Sequence, residues 1–462
     1  MENLRVSSYI IPVKLENENG KYMLLHGYTG AIDIVDEDLA IYLRENKEVN
    51  TIDNLFSSDI KERLHKRGYL TDKTEEEEYS YVNKMAGLLH QKETLTQISY
   101  TMVVTYDCNF RCPYCFEHTL HGENRPLSDK TLTFEMVDNI YSNIARIEKK
   151  YQRNSERSKL MELYGGEPLL AKNKEIVQYI VDRGCIMNFK FKAITNGYDL
   201  EYYKDLLNPN QIAFLQITID GKKECHDSRR THYLYGSSFD KILRNIEMAL
   251  QQGVYVVVRI NTDNIIFEQL EDLYKIFKQF NFLTYKEFSI ESALLRNNHT
   301  SSIDNIQFMS TKEYLSKHKN ANYKYGCQYQ YLYKNILNVM QGKERMHLHA
   351  TYCNSQCNGY VFAPSGHIYS CWDLVGNPQH IIGNYNKSTI KINTTGESWR
   401  NHDIRYGNKC KHCKYAFLCG GGCLARATFN EGKFKNFDCN SFPIITKEAA
   451  NRAFNEYKAN IV

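Results

Sequence analysis

Residues 106–117, YDCNFRCPYCFE, place cysteines at 108, 112 and 115. Thiolates this closely spaced bind soft metal centres, and zinc and iron–sulfur are the two chemistries open to them. A structural zinc takes four protein ligands in a tetrahedron, and this run offers three. His118 would close the set, but the spacing is not that of a zinc finger. An iron–sulfur cube held by three thiolates instead keeps one iron open to a small molecule. A packing role, with cysteine as a small buried apolar residue, explains such clustering poorly.

A second set lies late in the chain. Cys353 and Cys357 precede Cys371, and CKHCKYAFLCGGGC adds Cys410, Cys413, Cys419 and Cys423, followed by Cys439. Eight of the 14 cysteines therefore fall between 353 and 439, none precedes Cys108, and only Cys185, Cys225 and Cys327 are scattered. Disulfides are the other use for so many cysteines. The opening MENLRVSSYI has no basic region followed by an apolar stretch, so a cytoplasmic location is expected and with it reduced thiols. A pair of zinc ribbons is the alternative for the late set. Cys185 reads as a core residue closing a helix, and Cys327 as either bland or substrate-side.

The elements that must position these residues change along the chain. At 462 residues two or three domains are expected. Hydrophobic content of 42% and charged content of 24% fit a globular enzyme rather than disorder. A net charge of +4 is too small to imply nucleic acid or an anionic membrane as partner. Residues 1–72 read as a small separate unit: SYIIPVKL and KYMLLHG as strands, then helices at 36–46, capped by Asp36, and at 57–70, ended by Gly68. This order is winged-helix-like. DKTEEEE (72–78) reads as a solvated linker or helix start, with a linker helix over 73–97.

From 98 strands alternate with amphipathic helices. Strands are predicted at 98–105, 160–164, 191–195, 214–219, 255–261 and 286–292, and helices at 128–150, 237–252 and 264–280. Such alternation gives a parallel sheet, curled into a partial barrel or doubly wound, with its chemistry at the C-terminal strand ends. The three-cysteine run, GGEP (165–168), NGY (196–198) and TIDG (218–221) all follow strands. A bridging segment covers 311–345. Over 346–462 the secondary-structure signal weakens, and a fold organised by metal is expected.

Cys-x3-Cys-x-Tyr-Cys, with Tyr114 as the aromatic residue, resembles the signature of radical SAM enzymes. The resemblance covers about 98–310. It implies an α/β fold, a partial (β/α)6 barrel, and a [4Fe-4S] cluster on Cys108, Cys112 and Cys115 that binds S-adenosyl-L-methionine and yields a 5′-deoxyadenosyl radical. By the same resemblance Gly165, Gly166 and Glu167 contact the methionine amino group, Tyr114 lies near the adenine, and Thr218, Asp220 and Arg230 bind ribose and carboxylate. Taken alone, GGEP is equally a plain strand-to-helix turn, and Arg230 a solvated charge.

The late cysteines are similar to the seven-cysteine pattern of the SPASM extension, here 346–462. That implies two auxiliary [4Fe-4S] clusters, one on Cys353, Cys371 and Cys423 with Cys357 as candidate fourth ligand, the other on Cys410, Cys413, Cys419 and Cys439. Without Cys357 the first would keep an open iron for a substrate thiolate. Residues 1–72 resemble the recognition element of peptide maturases, which takes a leader peptide as an added strand. Together these imply a maturase of ribosomally made peptides, most directly one forming Cys-to-carbon thioethers of sactionine or ranthionine type. Flavodoxin or ferredoxin would be the electron donor, with neither nucleic acid nor membrane as partner. C–C or C–O crosslinking and anaerobic sulfatase maturation are the alternatives; outside catalysis, so is a metal-cluster DNA-binding regulator. DIKERLHKR presents mixed charge rather than a basic recognition face.

Overall fold

The computed structural model describes residues 4–45, 57–115, 117, 130–152, 158–296, 306–386, 389–431, 439 and 441–460; His118 and the start expected for the 128–150 helix lie outside them. The chain forms two compact units. One comprises Met1–Gln97, Tyr329–Cys357 and Arg400–Val462, the other Ile98–Gln328 and Asn358–Trp399. Among the described residues no helix is long and apolar enough to cross a membrane.

In the first unit, β1 (Arg5–Val6) pairs with β5 (Leu70–Thr71), and an antiparallel sheet runs β2 (Ile10–Lys14), β3 (Lys21–His26), β4 (Ile32–Asp36). β4 corrects the strand–strand–helix order: Asp36 ends a strand, and the helix begins at Glu37. The second helix, Ser58–Arg67, is capped by Ser57, and Gly68 ends it with φ 88°, a left-handed conformation that suits glycine. Tyr22 and Leu24 of β3 join Leu43, Leu64 and Tyr69 in one core. The alternate β3 residues Met23 and Leu25 are also buried. The sheet is thus covered on both faces, and where the sequence suggests a small unit of 1–72, these residues cluster in one compact unit with 329–357 and 400–462.

Two other stretches of the same unit supply the cover. The helix Phe442–Ala459 buries Ile445, Ala449, Ala453 and Phe454. Its Asn451 accepts from the Glu16 amide at 2.8 Å and donates to the Lys14 carbonyl at 3.2 Å. This helix, and the strands of 358–384 that join the barrel sheet, give 346–462 regular structure beyond the metal-organised fold expected there. The helix Glu75–Thr96 starts in a capping box of Thr74 and Glu77. Its Glu78 departs from the solvated reading of the EEEE run. Wholly buried, it accepts from Ser7 Oγ (2.5 Å), Arg5 Nη2 (2.7 Å), the Ser8 amide (3.0 Å) and Tyr28 OH (3.1 Å). A buried carboxylate is tolerated only with partners of this kind.

The second unit is built on one sheet of nine strands. β6 (Ile98–Thr105), β7 (Lys159–Gly165), β8 (Phe189–Thr195), β9 (Ile212–Thr218), β10 (Tyr255–Thr262) and β11 (Phe288–Leu294) lie side by side in chain order and pair in parallel. Consecutive order with crossover helices is the pattern of a partial (β/α) barrel; a doubly wound sheet reverses midway. All six expected strands are present. The first long helix is Phe134–Lys150, started by the Thr133 side chain rather than at 128. Beyond β6 the sheet continues through β12 (Asn358–Phe362), parallel to it, and antiparallel β13 (His367–Tyr369) and β14 (Ile381–Asn384).

Candidate functional site

β6 delivers the chain into the three-cysteine loop at the C-terminal edge of the parallel sheet. The loop is fastened outward by backbone bonds, Arg111 amide to Thr231 carbonyl (2.9 Å) and Tyr233 amide to Asn109 carbonyl (3.0 Å). It is fastened inward by Asp107, whose Oδ1 accepts the Cys108 amide at 2.8 Å and whose Oδ2 meets Lys172 at 2.5 Å. Burial raises the Cys108, Cys112 and Cys115 thiols above their ordinary range, and Cys108 lies within electrostatic reach of the other two. Thiols so placed give up their protons to a metal centre rather than to water. Among the described residues no three His, Cys, Asp or Glu side chains are gathered for a single ion. A cube, by contrast, spreads its thiolates over separate irons.

The glycines of GGEP serve the approach of one loop to another. Gly165 has φ 141°, and a Cβ on it would stand 2.3 Å from the Thr105 carbonyl oxygen; on Gly166 it would stand 2.3 Å from that of Asp107. The Gly166 and Glu167 amides donate to those same carbonyls, at 3.0 and 2.8 Å. Gly166→Ala is therefore expected to push the cysteine loop off the strand end and lower cluster content, read as iron per chain after anaerobic reconstitution. Glu167 is buried, accepting at Oε1 from Thr195 Oγ1 (2.6 Å) and the Leu169 amide (2.9 Å), and at Oε2 from the Asn196 amide (2.6 Å). Burial raises its pKa to about 7 in spite of these donors. Glu167 thus ties the β7 and β8 ends together and also lies within electrostatic reach of Cys108.

Tyr114, Asp220 and Arg230 meet. The Tyr114 hydroxyl donates to Asp220 Oδ2 and accepts from Arg230 Nη1 at 2.9 Å. Arg230 is buried, its guanidinium lies 5.6 Å from the Phe110 ring centroid, and its Nε has no hydrogen-bond partner among the described residues. A buried, unpartnered cation donor beside the cysteine loop fits a ligand carrying a carboxylate. Thr218 ends β9 two positions before Asp220 and is buried. Three raised thiols with this donor next to them fit the cluster and S-adenosyl-L-methionine implied by the sequence.

Sequence reading missed several neighbours. Asn261, near the end of β10, donates its amide to Asp220 Oδ1 and its side-chain nitrogen to the Tyr114 hydroxyl, both at 3.4 Å. The Tyr164 phenol, raised by burial, lies within reach of the charges of Glu117, Asp373 and Cys115. Its ring is 5.1 Å from that of Trp372. Arg296 and Arg259 face Asp373. Alternation on β10, which puts Arg259 and Asn261 on one face, was the available signal; Asp373 had none.

All 14 cysteines stand outside disulfides. Cys371 belongs to the barrel unit and Cys353, Cys357 and Cys423 to the other. Within that other unit, the buried Cys357 Sγ lies 3.4 Å from Thr351 Oγ1, and Glu93 accepts from the Ala350 amide (3.0 Å), the Thr351 amide (3.1 Å) and Thr351 Oγ1 (2.8 Å). Gly420, Gly421 and Gly422 have φ of 68°, 88° and 78°. Burial raises the Cys410 thiol, and Cys439, Cys419 and Cys413 all lie within electrostatic reach of it. Cys185 is half-buried rather than core, whereas Cys327 is buried.

Residues 102–280 match the profile of the radical SAM superfamily. The chain is 23% identical over 363 residues to a cysteine-type anaerobic sulfatase-maturating enzyme of Clostridium novyi (strain NT), 73% of this chain and 90% of that protein. The structure of native anSMEcpe with bound AdoMet is similar with a TM-score of 0.57 and 20% identity, covering 79% of this chain and 99% of that one. Streptococcus suis SuiB bound to precursor peptide SuiA is similar with a TM-score of 0.50 and 14% identity, covering 94% of this chain and 98% of that one.

Proposed function

We propose, for a chain that carries a radical SAM domain, that it modifies a ribosomally made precursor peptide, joining a peptide cysteine to carbon as a thioether. The observation that carries this is β4. It is an edge strand with Ile34 39% exposed, available to pair with an extended leader while β3 is buried beside it. Support comes from coverage: SuiB, solved with a precursor peptide, has a fold that accounts for 94% of the chain, and anSMEcpe for 79%.

S-adenosyl-L-methionine on a cluster at Cys108, Cys112 and Cys115 supplies one-electron chemistry that removes hydrogen from an unactivated C–H. The chain's own residues orient and enclose. Arg230 holds the carboxylate, Asp220 and Asn261 fix Tyr114, and Glu167 with the two glycines sets the loop that faces the amino group. Tyr164, Trp372 and Asp373 line the substrate side. Asp373→Asn is expected to leave 5′-deoxyadenosine formation in place while cutting crosslinked peptide about 100-fold or more; equal loss of both products would remove Asp373 from the substrate side. The electron comes from flavodoxin or ferredoxin.

Ile34→Lys places a charge on the β4 edge, which discourages strand addition. The KM for precursor is expected to rise about 10-fold with iron content unchanged; an unchanged KM removes the leader from this edge. The overall test is anaerobic turnover with a cysteine-bearing precursor. The expected result is loss of a hydrogen pair per crosslink, located by mass spectrometry to a cysteine. The sulfatase-maturating relatives favour a second reading, oxidation of a sulfatase cysteine, and conversion of a sulfatase peptide in place of the precursor would establish it.

A further inference from the structure

The loop that carries Cys410 and Cys413 touches the recognition sheet at several independent points. Tyr9, just before β2, donates its hydroxyl to the Lys411 carbonyl at 3.2 Å. Gly27, just after β3, comes so close that a Cβ would stand 2.1 Å from the Lys414 carbonyl oxygen. Tyr79 stacks on His412 with ring centroids 4.5 Å apart. Tyr9 and Tyr28 share an apolar cluster with Val82, Ala86, Cys410 and Phe417. The Lys411 carbonyl is thus bonded and the Lys414 carbonyl closely approached by the segment that carries β2 and β3, while the His412 ring is stacked by the helix Glu75–Thr96 that follows it.

The cysteine side has little regular structure to hold that shape. Around Cys410 it has the short helix Asn408–Lys411, and before Gly420 the equally short Ala416–Cys419. Helices of one turn do not persist alone. A metal centre that draws thiolates together can fix such a segment, and Cys439, Cys419 and Cys413 lie within electrostatic reach of Cys410.

We propose that the four-thiolate centre on Cys410, Cys413, Cys419 and Cys439 is the structural footing of the peptide-recognition sheet, so that its loss weakens precursor binding. The metal centre shapes the 410–414 loop, the loop supports Tyr9, Gly27 and Tyr28, and these fix the β2–β3 hairpin on which β4 is laid. The part concerning precursor rests on the leader reading above; the coupling between sheet and metal centre does not.

The test runs in both directions on full-length, reconstituted protein. Gly27→Ala, far in sequence from any cysteine, is expected to lose about four irons per chain, one cube. Tyr9→Phe, which deletes a single hydrogen bond, is expected to keep its iron and shift the spectroscopic signature of one reduced cluster. Should Gly27→Ala not fold, Tyr9→Phe decides. In the other direction, Cys413→Ser is expected to speed hydrogen exchange at the β2 and β3 amides and to raise the dissociation constant of a labelled leader peptide about 10-fold. Full iron content in Gly27→Ala together with unshifted spectra in Tyr9→Phe would overturn the proposal, as would unchanged exchange in Cys413→Ser. A wild-type chain that binds no leader would overturn the leader reading instead, while iron content and exchange still decide the footing.

Discussion

Cys112→Ala is expected to abolish 5′-deoxyadenosine formation. Cys112 is the middle thiol of the three-cysteine loop and is buried. Arg230, Asp220 and the thiols of Cys108 and Cys115 lie within electrostatic reach of it. No cysteine elsewhere in the loop can replace it, and two thiolates cannot retain a cube whose fourth iron must stay open. The loss should exceed the roughly 10–100-fold typical of residues that only support a metal ligand. Iron per chain should fall by one cluster's worth while the remaining iron signal persists. Cys327→Ala is the control: that cysteine is equally buried but lies in no motif. It should cost stability and leave both iron and product alone. Retained cofactor cleavage in Cys112→Ala would refute the cluster assignment outright.

Arg230→Ala should show the second large effect, on cofactor affinity rather than on iron. Arg230 is a buried cation whose Nη1 bonds Tyr114 while its Nε has no acceptor among the described residues. Truncating the cation that would pair with a ligand carboxylate in a buried site costs about 2–5 kcal/mol of binding, and Asp220 then keeps only Arg229 as a counter-charge within reach. Affinity for S-adenosyl-L-methionine should therefore drop by about 100-fold or more, at roughly 1.4 kcal/mol per tenfold. Arg230→Lys should recover part of it, keeping the charge but losing the planar fork that grips a carboxylate at two points. The measurement is equilibrium binding to reconstituted protein with matched iron content. Unchanged affinity in the alanine variant would take Arg230 out of the cofactor site.

Much of the barrel and its cysteine loop was legible because both follow local rules. Strands read as apolar runs, as in β6, or as alternation, as in β8, and cysteines at fixed spacing read as a ligand set. What was missed depends on partners distant in sequence. β4 (IDIVD) carries acidic residues, as edge strands do, and only its last residue, Asp36, entered the sequence reading, as a helix cap. Its Asp33 is anchored by Arg67 and Tyr69 at 2.6 and 2.8 Å, partners invisible until the chain folds. Glu78 looked like one of four solvated glutamates; the donors that make it a core residue come from positions 5, 7, 8 and 28. Asp373 belongs to no motif, and only the sheet brings it to Tyr164. The Phe442–Ala459 helix does have a readable period, but it sits among cysteines that suggested a different kind of order.

The β2–β3–β4 sheet has a peculiarity of timing. β2 and β3 are synthesised long before Asn451, which clasps the Lys14–Glu16 turn. Glu16 and its clasp are 435 positions apart, and contacts that distant close slowly. A nascent chain therefore finishes its barrel strands before it can fasten the β2–β3–β4 sheet. The segment made earlier is the one locked in place later.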